Sequence, residues 1–185
     1  MRNKLACTGA ILLAFLLSAP TGWAIQQKRP MTEHARMLLE KQIRHELVML
    51  PYYGVFDNLM FKLDDRNVTL LGQVSRPSLK DAAEKAVRKL EGVERVDNRI
   101  EVLPLSSNDD RIRRAVYRSV YSAGPLQRYS LEPIPPIHII VKRGHVALEG
   151  VVASEAEKTW AGIRAKQVPL VFSVTNNLRV ESRRG

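Results

Sequence analysis

The sequence predicts an α+β fold of two tandem αββαβ modules, each a three-stranded mixed sheet with two helices on one face. Three observations predict it. First, the chain repeats itself at one offset. Val68, Leu70, Gly72 and Val74 recur 78 positions later as Val146, Leu148, Gly150 and Val152, and Val96, Asn98, Ile100 and Val102 recur as Val174, Asn176, Leu178 and Val180. Two patterns sharing one shift identify a duplicated unit. Second, the apolar period within each copy switches between about four residues and two, which reads as helices alternating with half-buried strands. Third, apolar, Gly and Asn positions repeat while the polar side chains change. What is duplicated is a packing plan, and no acid, base or nucleophile repeats with it.

In the first copy, Leu39, Ile43 and Leu47, with Leu38 and Leu50 beside them, mark one helix face between Glu33 and Leu50, and Pro51 ends the helix. Leu59, Phe61 and Leu63 then alternate with Met60 and Lys62, residues 64–67 supply turn chemistry, and residues 68–74 alternate again as a hairpin does. Pro77, favoured at the first helical position, opens a second helix. Its expected stripe is Leu79, Ala83, Ala86 and Leu90, and Gly92 closes it. In the last strand Val96, Asn98, Ile100 and Val102 face one way and Asp97, Arg99 and Glu101 the other, as in a sheet covered on one side.

Residues 104–108 are read as a linker. The second copy opens with a helix carrying Ile112, Val116 and Val120 and continues with strands at 137–141 and 146–152. Ser154 and Glu157 have capping-box spacing for its second helix, whose expected stripe is Ala156, Trp160 and Ile163. The final strand is 174–181. The main departure from symmetry is the segment 122–136, read as about nine residues longer than its counterpart. Pro125, Pro133, Pro135 and Pro136 argue there against regular helix or central strand. Leu126, Tyr129, Leu131 and Ile134 are therefore expected in irregular backbone, either packed on the first copy or touching lipid or a partner.

Residues 1–24 read as a cleaved secretory signal peptide: Arg2 and Lys4 precede an apolar run at 5–17, and Gly22 and Ala24 put small residues at the expected cleavage positions. That run falls short of the roughly 20 residues of a membrane span, with an uncleaved anchor as the alternative. Residues 25–32 are a polar lead-in, followed by modules at 33–103 and 109–182. Cys7 is the single cysteine, so cleavage leaves no disulfide, thiol nucleophile or thiolate metal site. The 29 basic and 19 acidic residues give +10, and loss of Arg2 and Lys4 would leave +8. An exported protein of this charge meets anionic headgroups or acidic polymers; nucleic acid is not an expected partner.

These residues resemble the BON-domain family, αββαβ modules with a Gly in the second strand and a Gly-Val…Val-x-Asn-x-(Leu/Ile)-x-Val ending. Copy one carries the pattern as Gly72, Gly92, Val93, Val96, Asn98, Ile100 and Val102; copy two carries it as Gly150, Val171, Val174, Asn176, Leu178 and Val180. Leu170 stands where the second copy should have its Gly, so a reshaped helix exit is expected beside Pro169. The resemblance implies non-enzymatic modules at bacterial envelopes, associated with phospholipid binding and stress tolerance, like other dual-BON envelope proteins.

Gly72 and Gly150 fall on inward strand positions, where a missing side chain is expected to let a helix approach closely. Asn98 and Asn176 share that face and are expected to be hydrogen-bonded structural latches. His34, His45, His138 and His145 lack metal-ligand spacing and read as surface or turn residues, so no metal, cofactor or catalytic residue is assigned. The candidate binding residues are basic. Arg111, Arg114 and Arg118 share one helix face, flanked by Arg113, with Lys142 and Arg143 at a hairpin tip and Arg128 and Tyr129 in the Pro-rich segment. Such a row is either a solvated face or a site for an anionic phospholipid surface, where each cation contributes about 1 kcal/mol. An envelope protein is the alternative partner. Oligomeric state is open.

Overall fold

A computed structural model describes residues 31–122 and 124–181; the expected signal peptide and most of the lead-in lie outside them. The first module runs α1 (Glu33–Val48), β1 (Asn58–Asp64), β2 (Asn67–Val74), α2 (Pro77–Arg88), β3 (Arg95–Asn98) and β4 (Glu101–Val102). The second runs α3 (Ser107–Tyr121), a 3-10 helix (Gly124–Leu131), β5 (Ile137–Lys142), β6 (His145–Val152), α4 (Glu155–Lys166), β7 (Ser173–Asn176) and β8 (Arg179–Val180). In each sheet the middle strand pairs antiparallel with the hairpin strand before it and parallel with the strand returning after the helix.

Each module has its own core. Leu39, Ile43 and Leu47 of α1 and Leu79, Ala83 and Val87 of α2 close on Val68, Leu70 and Ile100. Ile112, Val116 and Val120 of α3 and Ala161 and Ala165 of α4 close on Ile139, Val146, Leu148 and Leu178. In α2 the stripe differs from expectation in that Val87 is fully buried, while Ala86 and Leu90 sit at its margin.

The expected stripe of α4 is wrong. Trp160 and Ile163 are about half exposed and Ala156 is exposed, while Glu157, Ala161, Gly162 and Ala165 face inward. The cause is spacing. A Cβ on Gly162 would meet Asn176 Nδ2 at 2.9 Å, so this helix lies too close to the sheet for a large side chain.

The close helix approach thus belongs to Gly162, not to the strand glycines. Gly72 and Gly150 have φ of +109° and +120°, and a Cβ on either would stand 2.0 or 1.9 Å from a backbone oxygen of the neighbouring chain segment, Asn58 O or Pro136 O. Their twist also explains why the third strand comes in two pieces. Pairing with the middle strand skips between Leu70↔Asn98 and Gln73↔Glu101, the stretch of β2 that holds Gly72, and the second module skips at the matching place. The asparagine fills that gap. Asn98 Oδ1 accepts from Ile100 N at 3.2 Å and its Nδ2 donates to Lys80 O in α2 at 3.0 Å. Asn176 makes the same pair, accepting from Leu178 N at 3.3 Å and donating to Lys158 O at 2.7 Å. Glycine and asparagine therefore form one device: the first breaks the ladder and the second satisfies the orphaned amide.

The helix exit of the second module is not reshaped. Leu170 takes φ +71° where Gly92 takes +91°, so a branched side chain occupies a backbone well that suits glycine. The next turns match as well, with Glu94 N donating to Arg66 O and Phe172 N to Gly144 O, both at 2.9 Å.

The connection before the hairpin has nine residues in the first module, 49–57, and fifteen in the second, 122–136, a smaller excess than the sequence pattern suggested. The longer one is partly ordered as the 3-10 helix despite its prolines, and it packs on its own module. Leu126 and Tyr129 are buried in the second core, while Leu131 is exposed. The shorter connection crosses between modules: Val55 O accepts from Ile139 N of the edge strand β5 at 2.7 Å, and Val55 and Phe56 pack on the second core. A sheet edge that would otherwise be open is covered in this way.

Candidate functional site

Helix α3 carries the predicted basic row. Ser106 caps it, accepting from Asp109 N at 3.2 Å. Burial of Ile112, Val116 and Val120 turns Arg111, Arg114 and Arg118 outward, and all three are exposed. Asp109, buried in the first turn, ties this helix to the β5–β6 hairpin by accepting from Arg143 N at 2.8 Å and Gly144 N at 2.9 Å. Both turn residues have positive φ, +54° and +79°, as a two-residue turn between twisted strands requires. Arg143 is thereby held beside the start of α3.

The row spans two concavities. Arg111 and Arg143 line one of about 300 Å³ together with Ile112, Leu170 and Phe172. Arg114 and Arg118 line another of about 610 Å³, between the modules, with Phe56, Tyr117, Pro133 and Pro135. None of these four arginines forms an ion pair with a described residue; Arg111 reaches only the neutral Asn108 Oδ1, at 3.1 Å.

The other predicted binding residues are engaged elsewhere. Arg113 is 5% exposed, pairs with Asp110 and donates to Val141 O at 2.9 Å, so it does not flank an exposed row. Lys142 pairs with Glu101 of the first module. Tyr129 is buried and donates to Glu157 Oε2 at 2.8 Å, and Arg128, stacked on the Tyr129 ring, donates to Glu157 Oε1 at 2.6 Å. Glu157 also accepts from Ala153 N at 2.9 Å, one residue ahead of the cap that Ser154 provides, in place of the reciprocal bond of a capping box. Arg128, Tyr129 and Glu157 fasten the 3-10 helix to α4. Packing toward the core placed them there, and no periodicity in a proline-rich segment signals it.

Three features escaped sequence reading. Asp57, 2% exposed, accepts from Ser75 N at 2.6 Å, Ser75 Oγ at 2.8 Å and Gly54 N at 3.2 Å, yet it looks like any turn aspartate. His138 is part of the module junction. Its ring lies 5.6 Å from that of Tyr53, its Nδ1 has no hydrogen-bond partner, and burial lowers its pKa while the nearby Gly54 and Asp57 carbonyls pull the other way. Burial likewise pushes the Tyr53 hydroxyl up to about 12. Third, Leu170 and Phe172 stand exposed beside Arg111. Leu at a glycine position was the available signal for that pair.

Among the described residues no cluster of His, Cys, Asp or Glu could hold a metal, and no helix is long and apolar enough to cross a membrane. No curated protein sequence matches the chain. Two solved structures resembling it are of CdsD, a structural protein of the type III secretion system of Chlamydia trachomatis. Its C-terminal domain is 12% identical over 78% of this chain and 98% of that one, with a TM-score of 0.33, and a second structure is 12% identical over 77% and 92%, with a TM-score of 0.32. Likeness of that degree carries no argument about function. The BON domain pattern, by contrast, matches residues 39–104 and 108–182, one match on each module, and so the chain belongs to the BON domain family as a tandem of two copies.

Proposed function

We propose that this protein is a non-enzymatic, exported envelope protein that docks reversibly on anionic phospholipid through its second module and so supports envelope integrity under stress. The family is associated with phospholipid binding at bacterial envelopes and is generally non-enzymatic. One observation carries the reading to specific residues: Arg111, Arg114 and Arg118 line one exposed helix face without a carboxylate partner among the described residues. Aligned by the buried positions of the first helices, their counterparts in the first module are Leu38, Lys41 and His45. The same face thus carries three permanent charges in one copy and one in the other. Arginine heads on such a face approach lipid phosphates while the helix remains packed on its own core.

Sedimentation with vesicles of graded anionic content, repeated at rising salt, tests this. Binding should grow with anionic lipid and fall as salt screens it. Binding that ignores both would contradict the proposal. A second reading is a periplasmic protein-interaction module, and the groove between modules, walled by Phe56, Tyr117, Pro133 and Pro135, favours it. Capture of one dominant envelope protein by whole-cell crosslinking, with no vesicle binding, would select that alternative.

A further inference from the structure

Outside the arginine row, the second module exposes an apolar knuckle that the first lacks. Leu170 is 55% exposed and Phe172 76% exposed, on the turn leading from α4 to β7. By the 78-residue offset their counterparts are Gly92 and Glu94. The backbone path is the same in both copies, so packing does not require these side chains. Leu170 sits at φ +71°, where glycine would be unstrained, yet more than half of it is exposed and only part of its apolar surface is buried in return. Strain at a residue that the fold only half buries, beside a Phe172 that is 76% exposed, points to a use outside the fold.

The surroundings indicate what that use is. Arg111 and Arg143 border the same concavity as Leu170 and Phe172, and neither is ion-paired with a described residue. Two apolar tips beside a dent of about 300 Å³ are few anchors for a stable protein interface, which takes roughly 20 residues a side. They do match shallow entry into a headgroup layer, where apolar tips sink and flanking guanidinium groups stay at phosphate level. We infer that Leu170 and Phe172 are the residues that enter the bilayer, with Arg111 and Arg143 holding lipid phosphates on either side. This inference rests on the membrane reading above and assigns its penetrating element.

The test uses vesicles containing phosphatidylglycerol and two kinds of variant. Leu170→Gly/Phe172→Gln leaves every charge in place and gives position 170 the residue of the first module, so the chain should remain folded. Its vesicle affinity should fall about tenfold, with an unchanged salt slope. Second, the Trp160→Phe chain is compared with Trp160→Phe/Phe172→Trp on vesicles of bromine-labelled lipid, so that the difference reports position 172 alone. Extra quenching and a blue shift at position 172 would support the inference. Wild-type binding with neither signal, or with full affinity kept by the double variant, would overturn it and leave the docking proposal standing. Absence of wild-type binding to any anionic vesicle would defeat both.

Discussion

The two modules close the same joint with different side chains. At the end of the middle strand of the first module, Ser75 N is held by Asp57, which arrives from the connection ahead of the sheet. In the second, the matching Ala153 N is held by Glu157 from the following helix and by Tyr129 from the 3-10 helix. A backbone amide at this place needs a partner in either copy. The plan fixes the need and leaves its source free. That freedom has a consequence for assembly, because Asp57 also accepts from Gly54 N and so steadies the connection whose Val55 covers the edge of the second sheet. At this joint the first module's fastening also steadies the connection between modules, whereas the second module's is closed within itself.

The strand glycines offer the strongest test of equivalence. Gly72→Ala and Gly150→Ala each add a Cβ against a backbone oxygen at a φ hostile to alanine, so each should cost about 3 kcal/mol in denaturant unfolding. Tolerance of one and not the other would show that the copies do not share the device. Next in size, Glu157→Ala and Asp57→Ala should each cost about 2 kcal/mol by orphaning buried donors. They should differ in reach. Hydrogen exchange should rise in the second module alone for Glu157→Ala, and across the module junction as well for Asp57→Ala.

Acid should act on the junction through His138. Its folded pKa lies below the ordinary 6.5 because of burial, so the unfolded chain takes up this proton first. The stability it contributes is intact above that value and is lost as pH falls below it. Unfolding measured between pH 7.5 and 5 should show this loss in the wild type and less of it in His138→Gln. The smallest effect comes from exchanging the helix exits. Leu170→Gly should raise stability by up to about 1 kcal/mol, and Gly92→Leu should lower it by a similar amount, since a Cβ there meets nothing closer than Leu39 Cδ2 at 3.8 Å. Equal and opposite shifts in melting temperature would confirm that backbone strain alone separates the two exits.

Where a residue's environment follows from periodicity, the sequence was enough. The buried rows Leu39, Ile43, Leu47 and Ile112, Val116, Val120, the hairpins and the asparagine latches could be read because one repeating face meets one core. By contrast Leu38, read beside the first row, is half exposed, and the strand glycines face a neighbouring backbone oxygen instead of a helix. Legibility failed where distance decided. Nothing in the spacing of Ala156, Trp160 and Ile163 reveals that Gly162 brings α4 within reach of Asn176 and so selects the neighbouring small-residue face. Candidate cations divided in the same way. Arg111, Arg114 and Arg118 stay outward because helix geometry places them opposite the core. Arg113, Arg128 and Lys142 were claimed by Val141 O, Glu157 and Glu101, partners 28 to 41 residues away that no local pattern announces.

The contrast between the modules' first helices is the claim on which the functional account rests, and vesicle affinity of matched charge variants measures it most directly. On phosphatidylglycerol vesicles at low salt, Arg111→Gln/Arg114→Gln/Arg118→Gln should bind roughly 100-fold more weakly than wild type, at about 1 kcal/mol per cation. The counterpart Lys41→Gln/His45→Gln should bind almost as wild type does. Equal losses from the two variants, or none from the first, would contradict the assignment of docking to the second module.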